Sequence, residues 1–314
     1  MENLVFSLNA TVPVFLMMAL GFFFRRAGLV DERFAEGMNA FVFRAAMPAL
    51  MFADLAELDL RAAWDTRFVL FCFCVTLVSI AAAAGLSRLL RDKSLRGEFI
   101  QAAYRSSAAI LGTALITNIY GGVAMAPLMI IGSVPLYNIM AVVVLSFFQP
   151  ERKPLDGALV KKTLRGIVTN PIILGILAGL LWSALRLPMP VILEKTVSNL
   201  GGISSPLGLM AMGASFEPKK ALGKVWPSVT AAFIKLVGFC ALFLPQAVFL
   251  GFREEKLVAI LIMLGSATTV SSYVMARSMG HDGILSSAVV MLTTLFSAFT
   301  LTFWLWLLRS HGLV

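Results

Sequence analysis

Two polar strings in apolar surroundings carry the residue types that could bind a charged substrate. The first, residues 105–120 (RSSAAILGTALITNIY), combines an arginine with hydroxyls, a glycine and an asparagine. The second, residues 264–272 (LGSATTVSS), repeats the Leu-Gly-hydroxyl-Ala string of residues 111–114. Both strings are too apolar for surface loops and too polar for helices that only face lipid. We therefore predict two interrupted membrane helices that meet at mid-depth and form a binding site.

Basic residues within apolar segments indicate the charge of the ligand. Arg44, Arg105 and Lys235 lie inside such segments, whereas all seventeen acidic residues lie in loops or at segment ends. A charge at mid-membrane costs at least about 2.5 kcal/mol, so it usually faces a cavity or a partner. Because no buried carboxylate is available, we predict that a small organic anion supplies the counter-charge. The alternative stays open that Arg44 or Lys235 bonds carbonyls freed near prolines and only locks the helices together.

The predicted site consists of side chains near the two glycines and of residues that line it from neighbouring helices. Its members are Arg105, Ser107, Thr113, Asn118, Thr268, Thr269 and Ser271, lined by Asn39, Arg44 and Asn199. The helix breaks are assigned to Gly112, Gly265, Pro48 and Pro206. The three cysteines and two histidines lack metal-ligand spacing. We therefore predict no metal, no cofactor and no enzymatic activity.

The composition predicts an integral membrane protein. The 314 residues are 59% hydrophobic and 14% charged, with a mean hydropathy of +0.88, whereas soluble domains carry about 25% charged residues. A membrane span needs about 20 mostly apolar residues. Ten such segments fit, near residues 6–24, 35–53, 67–89, 99–120, 123–147, 168–186, 190–215, 226–250, 256–278 and 284–308.

The distribution of basic residues predicts the orientation. The net charge is +9, and most of the basic residues lie in short loops between apolar segments. This pattern is typical of residues that orient helices in a membrane and not of a nucleic-acid-binding surface. Alternate loops hold 16 and 7 Lys and Arg residues, and the richer side should be cytoplasmic. Both termini should then lie outside. The N-terminus lacks a basic region and a cleavage site, so we expect no cleaved signal peptide.

The two halves of the chain show a weak internal likeness. Pro13, Asn39 and Leu111 have counterparts 158, 160 and 153 residues later. Five spans per half is an odd number, so the second copy would enter the membrane upside down. The predicted fold is all-α, with ten transmembrane helices in a five-plus-five inverted repeat and with broken, crossing helices 4 and 9. The predicted divisions are residues 1–150, a basic cytoplasmic linker at 151–167, and 168–314.

Four stretches resemble the auxin efflux carrier family, which includes plant auxin carriers and bacterial malate or malonate permeases. They are residues 13–28 (PVFLMMALGFFFRRAG), 39–52 (NAFVFRAAMPALMF), 170–215, with its PLGLMAMGAS end, and 271–282 (SSYVMARSMGHD). The resemblance implies a scaffold of spans 1, 2, 6 and 7, a transport domain that moves against it as an elevator, and a homodimer. The chain departs from the family pattern at Ser107, Ala114 and Ala267, where an asparagine and two prolines are usual.

Together these observations predict a secondary transporter of a small organic anion, a carboxylate, in the inner membrane of a bacterium. Its partners would be the anion, membrane lipid and, where carbonyl and Asn or Ser oxygens bind it, sodium. Uncoupled, potential-driven movement is equally compatible with the sequence. The alternatives are a sodium-coupled carrier of bulkier amphipathic acids, and a membrane receptor that binds an organic anion without transporting it.

Overall fold

A computed structural model describes residues 2–56, 64–108, 116, 119–120, 125–150 and 157–314. Within these ranges the chain is helical and contains no strand, which confirms the all-α class. The helices are α1 (Glu2–Arg26), α2 (Glu32–Phe41), α3 (Met47–Ala56), α4 (Thr66–Ser87), α5 (Arg96–Tyr104), α6 (Ala126–Phe147), α7 (Gly157–Val168), α8 (Pro171–Leu185), α9 (Val191–Gly202), α10 (Ser204–Ala214), α11 (Pro218–Leu222), α12 (Val225–Phe233), α13 (Phe239–Phe249), α14 (Glu254–Gly265), α15 (Ser271–Ser278) and α16 (Ile284–Ser310).

Among the described residues, five helical segments are long and apolar enough to cross a membrane. They are Glu32–Ala56, Thr66–Ser87, Ala126–Phe147, Val225–Phe249 and Ile284–Ser310, and Pro171–Leu185 is a shorter apolar helix. Each of these six overlaps a predicted span. The multi-pass membrane character is therefore supported, while the ten-span count and the inverted repeat stay predictions.

Two of the segments contain a π-helical turn. Residues Val42–Ala46 separate α2 from α3, and residues Ile234–Gly238 separate α12 from α13. Each turn inserts a residue into the helix without ending it, and such turns occur frequently at functional sites. The first carries Arg44 and the second carries Lys235. The break predicted at Pro48 is thus a π-turn just before this proline, inside a continuous segment.

The predicted seventh span consists of α9 and α10, which are joined by a turn at Ile203. Pro206 lies in the first turn of α10, where a missing N–H group leaves no helical hydrogen bond unmade. The interruption therefore precedes Pro206 by three residues.

Glycines bring two pairs of helices into direct backbone contact. A methyl group on Gly21 of α1 would overlap the carbonyl oxygen of Met210 in α10, and one on Gly213 of α10 would overlap that of Met18 in α1. Gly175 of α8 contacts the backbone of Pro48 in α3 in the same way. Small residues allow helices to approach closely where lipid provides no hydrophobic force between them. We call these contacts the glycine interfaces.

The connection between the predicted halves contains a helix. Residues 151–156 lie outside the described part, and α7 (Gly157–Val168) follows them. A basic linker was predicted at residues 151–167, and within it α7 alternates apolar residues with Lys161 and Arg165 in an amphipathic pattern. Asn170 then caps α8 by accepting a hydrogen bond from the Ile172 N–H group at 2.9 Å. The division into two halves and a linker stays a prediction.

Helix α14 is enclosed by the protein along most of its length. Every residue from Leu257 to Gly265 is buried. A helix that is apolar on all sides belongs in the interior of a large protein or bundle. The helix therefore ends, at Gly265, inside the protein.

Candidate functional site: the junction of two interrupted helices

Two helix ends meet inside the protein. Helix α5 ends at Tyr104, and helix α14 ends at Gly265 before α15 begins at Ser271. The Ser107 N–H group donates a hydrogen bond to the Ala267 carbonyl oxygen at 2.9 Å. We call the two non-helical segments, residues 105–107 and 266–270, the junction. The predicted break at Gly112 lies outside the described residues.

Side chains satisfy backbone groups freed by the interruptions. The Thr268 hydroxyl donates to the Ala102 carbonyl oxygen at 2.8 Å, and its N–H group donates to Thr293 Oγ1 at 2.9 Å. Gln101 Nε2 donates to the Ser272 carbonyl oxygen at 2.7 Å. Non-helical backbone at membrane depth requires such partners because lipid offers none. The polar groups of Thr268 are therefore engaged in holding the junction together.

Arg105 follows α5 directly and is 2% exposed. Its guanidinium group donates to Asn138 Oδ1 and contacts the Met275 sulfur. Asn138 is held in place because its Nδ2 group donates to the Val134 carbonyl oxygen at 2.9 Å. No carboxylate of the described residues forms an ion pair with Arg105. The arginine is thus a buried cation with neutral partners.

Lys235 is the second buried cation at the junction, with no exposed surface. Its ammonium group donates to Ser106 Oγ and to the Leu264 carbonyl oxygen, and lies 3.4 Å from the Met263 carbonyl oxygen. Among the described residues it also has no carboxylate partner. The ammonium therefore lies against the C-terminal end of α14.

Several polar groups at the junction retain binding capacity. Ser107, Thr269 and Ser271 are half-buried, and among the described residues their only side-chain hydrogen bond joins Thr269 to Ser271 at 3.4 Å. Among the described residues, Ser266 and Ser272 have buried hydroxyls without a hydrogen-bond partner. An unpartnered buried polar atom is costly and frequently marks a place where a ligand, ion or water binds.

The three predicted lining residues lie in different environments. Asn39 is buried and reaches α15, where its Nδ2 group donates to Ser278 Oγ at 2.9 Å and to the Val274 carbonyl oxygen at 3.3 Å. Arg44 and Asn199 are exposed on the surface. The structure thus brings Asn39 into contact with the second interrupted helix but not Arg44 or Asn199. Thr113 and Asn118 lie outside the described residues.

The sequence-based site omitted residues that the structure brings to the junction. Gln101, Ser106, Asn138 and Lys235 all form buried hydrogen bonds there. Gln101 lies in the last turn of α5, four residues before Arg105. That spacing is a signal the sequence contains. Asn138 and Lys235 contact junction residues that lie far from them in the sequence. No local sequence pattern indicates such contacts.

A large cavity lies on the side of the basic loops. Its volume is about 1600 Å³, and its wall includes Phe99 of α5 and Ile234, the residue next to Lys235 in the second π-turn. The cavity is lined by more basic than acidic side chains: Arg25, Arg26, Arg91, Lys219, Lys220, Lys224 and Arg277 against Glu32, Asp92, Glu217 and Asp282. A concave surface with excess positive charge raises the local concentration of anions.

Interrupted helices and buried polar groups within a helical membrane protein are typical of the transporter class. Comparison with known proteins identifies the family. Residues 6–305 match the family described as "Membrane transport protein". The chain belongs to this family, the auxin efflux carrier family, and the resemblance noted in the sequence is confirmed.

Two relatives match along nearly their whole lengths. A protein of Rhizobium meliloti named "Putative malonate transporter" is 25% identical over 313 residues, which cover 96% of each chain. A protein named as an uncharacterized transporter, from Methanocaldococcus jannaschii, is 23% identical over 315 residues, which cover 96% of this chain and 99% of the relative. Family and relatives are thus named as transporters, which agrees with the prediction that the protein is not an enzyme.

Proposed function

We propose that the protein is a secondary transporter that carries a small organic anion, a carboxylate, across the cytoplasmic membrane. The observation that carries this proposal is Arg105, a buried guanidinium at the junction of two interrupted helices with only neutral partners among the described residues. A substrate carboxylate is a stronger acceptor for a guanidinium group than an amide oxygen or a thioether. Binding the anion would therefore replace weak partners by a strong one.

The half-buried hydroxyls of Ser107, Thr269 and Ser271 supply further hydrogen bonds to the substrate. Helix α15 begins at Ser271, next to the junction, so the positive end of its dipole lies there. Discontinuous helices in transporters direct such ends at anionic substrate groups. Thr113 and Asn118 remain candidate members of this site.

Transport requires that the junction open to the two sides of the membrane in turn. The glycine interfaces join α1 to α10 and α8 to α3, which supports a rigid scaffold made of these helices. This pairing also supports the inverted repeat. One interface joins predicted spans 1 and 7, and the other joins their counterparts in the opposite halves, spans 6 and 2. In our proposal the helices of the junction move against this scaffold, and Asn39 bridges the two parts.

The large cavity supports an orientation with the basic loops in the cytoplasm and both termini outside. Its positive wall would collect the anion before the junction binds it. Because one relative is named for malonate, we propose malonate as the first substrate to test, together with malate and indole-acetate. The homodimer implied by the family resemblance stays a prediction.

The test is uptake of labelled malonate, malate and indole-acetate into proteoliposomes at a fixed inside-positive potential, with and without sodium. We expect saturable uptake of one anion, and a loss of roughly tenfold or more in Arg105→Gln, since hydrogen bonds to charged groups contribute about 1.5–3 kcal/mol. Arg44→Gln is the matched control, because Arg44 is exposed on the surface.

Three outcomes would change the proposal. Equal uptake by Arg105→Gln and wild type would exclude Arg105 from the site. Uptake that requires sodium would favour the sodium-coupled carrier of bulkier acids. Binding of an anion without flux would favour a receptor.

A further inference from the structure

The two buried cations of the junction differ in their partners. Arg105 contacts side chains, whereas Lys235 contacts a serine hydroxyl and backbone carbonyl oxygens. The Lys235 partners are all oxygen atoms and they belong to three different residues. An arrangement of hydroxyl and carbonyl oxygens around one positive charge is also the arrangement that binds alkali cations in transporters.

Three oxygen atoms surround the Lys235 nitrogen. Lys235 Nζ donates hydrogen bonds to Ser106 Oγ and to Leu264 O, and Met263 O lies 3.4 Å away. Ser106 Oγ is available as an acceptor because Ser106 donates its own hydrogen to Met263 O. Met263 O also accepts a hydrogen bond from Tyr137 Oη, so its two lone pairs are already in use. Ser106 Oγ and Leu264 O are therefore the two oxygen atoms that hold the lysine nitrogen directly.

The end of α14 makes these oxygens unusually negative. The last four carbonyl groups of a helix have no intrahelical partner, and together they carry the negative end of the helix dipole. Met263 and Leu264 belong to this last turn, since α14 ends at Gly265. Met263 O additionally accepts a hydrogen bond from Tyr137 Oη at 3.1 Å. A cation is therefore favoured at this position.

A hydrogen bond holds the turn that contains Lys235, and the residue after α14 has an unused hydroxyl oxygen. Lys235 lies in the π-turn Ile234–Gly238, and the Leu236 carbonyl oxygen of that turn accepts a hydrogen bond from Trp304 Nε1 at 3.1 Å. Ser266, which follows α14 directly, has a buried hydroxyl with no hydrogen-bond partner in the described part of the chain. The segment thus contains more oxygen ligands than the ammonium uses.

We propose that the Lys235 ammonium occupies a monovalent-cation site formed by Ser106 Oγ and the carbonyl oxygens of Met263 and Leu264. The protein supplies its own cation at the position where a sodium ion would otherwise support the junction. Removing the lysine side chain would then open the site to an alkali ion. One consequence rests on the proposed function: transport of the anion would not require a sodium ion at this site.

The test is thermal unfolding of the purified full-length protein in detergent. Tryptophan fluorescence is followed at constant ionic strength in choline, lithium, sodium or potassium chloride. Wild type should unfold at the same temperature in all four salts. Lys235→Ala should unfold roughly 5 °C lower in choline, because buried oxygens lose their donors. One alkali chloride should restore at least half of this loss with a saturable concentration dependence.

Two variants control for effects of packing and charge. Lys235→Met fills the space of the lysine with an uncharged chain, so its lower unfolding temperature should not respond to the salt. Arg44→Ala removes an exposed basic residue from the corresponding π-turn and should change neither stability nor salt response. If Lys235→Ala yields no folded protein, Lys235→Ser replaces it, with the same expected salt response.

Specific stabilisation of wild type by sodium would overturn the proposal, because the site would then be open with Lys235 present. Absence of any alkali response in both Lys235→Ala and Lys235→Ser would also overturn it. Neither measurement requires flux. A lack of anion transport would count against the carrier alone, whereas a negative salt series would count against the cation site alone.

Discussion

The glycine interfaces and the junction are both buried places where helices meet, but different groups hold them together. At the glycine interfaces, the backbones of α1 and α10 and of α3 and α8 contact each other directly. At the junction, side-chain hydrogen bonds connect the helix ends, and some buried oxygens have no partner in the described chain. Close steric contact permits one arrangement only, whereas hydrogen bonds can be exchanged for others of similar strength. The comparison indicates a fixed frame beside a region able to rearrange around a ligand.

The strongest test of the fixed frame is Gly213→Ala. The new methyl group would overlap the Met18 carbonyl oxygen, which belongs to backbone and cannot rotate away. We expect a loss of about 3 kcal/mol in the free energy of unfolding, the upper end for overpacking, measured as lost monodisperse yield and a lower unfolding temperature. Gly37→Ala is the control, because no atom lies near its added methyl group. It should be neutral or stabilising by up to about 1 kcal/mol. Equal stability of Gly213→Ala and wild type would show that the frame can adjust.

The next test separates two neighbouring serines of the junction. Ser106 donates to Met263 O and accepts from Lys235, so Ser106→Ala should lower the free energy of unfolding by about 1–3 kcal/mol. The Ser107 side chain is half-buried and forms no hydrogen bond in the described chain. Ser107→Ala should therefore keep the unfolding temperature within about 1 °C and raise the KM for the transported anion. A large stability loss in Ser107→Ala, or none in Ser106→Ala, would reverse these roles.

The sequence predicted the location of the junction better than its contacts. Hydroxyls and Gly265 in apolar surroundings indicated the interruption after α14, because lipid tolerates such residues only with internal partners. Helix α5 ends at Tyr104, at the start of the first polar string, and the break assigned to Gly112 stays a prediction. Arg44 and Lys235 looked alike in the sequence, yet Arg44 is exposed and Lys235 is completely buried. Burial depends on which helices pack around each residue, and those helices come from distant parts of the chain.

Thr268 illustrates the same limit. Its residue type and position indicated a ligand-binding hydroxyl. In the structure this hydroxyl donates a hydrogen bond to the carbonyl oxygen of Ala102, which is 166 residues away in the sequence. The glycine interfaces were also beyond sequence reasoning. The spacing of Gly21 and Gly213 contains no information about the backbone that each one contacts. Local patterns thus predicted which segments are unusual, and tertiary packing decided which atoms remain available.

A smaller effect is expected where the frame touches the junction. Asn39 of α2 donates to Val274 O and Ser278 Oγ of α15. Asn39→Leu removes both hydrogen bonds and should cost about 1 kcal/mol of stability in the conformation described. In the proposed alternating-access cycle these two hydrogen bonds break, so the variant should shift the balance between the two proposed conformations. The accessibility of a cysteine introduced at Ser107 to a membrane-impermeant thiol reagent, in a background lacking the native cysteines, measures that shift.

The smallest effect concerns a contact outside the membrane segments. Asp65 precedes α4, and its carboxylate accepts hydrogen bonds from Lys256 Nζ at 2.6 Å and from the Phe68 N–H group at 3.0 Å. The hydrogen bond from Lys256 and the one from the Phe68 backbone lower the pKa of the Asp65 carboxyl group below its ordinary value. This contribution to stability is complete above the unfolded-state pKa of about 4. It is lost as the pH falls through the lower pKa of the folded state.

Asp65→Asn isolates this ion pair, because asparagine caps a helix as well as aspartate does. The Lys256 side chain is 38% exposed, so screening by water and salt limits the expected loss at pH 7 to less than about 1 kcal/mol. The difference in unfolding temperature between Asp65→Asn and wild type should shrink towards acid pH and at high salt. Equal unfolding temperatures of Asp65→Asn and wild type at pH 7 and low salt would assign the role of Asp65 to the helix cap and not to Lys256. Lys256 would then contribute nothing measurable to the attachment of α14, and the burial of α14 alone would hold the junction in place.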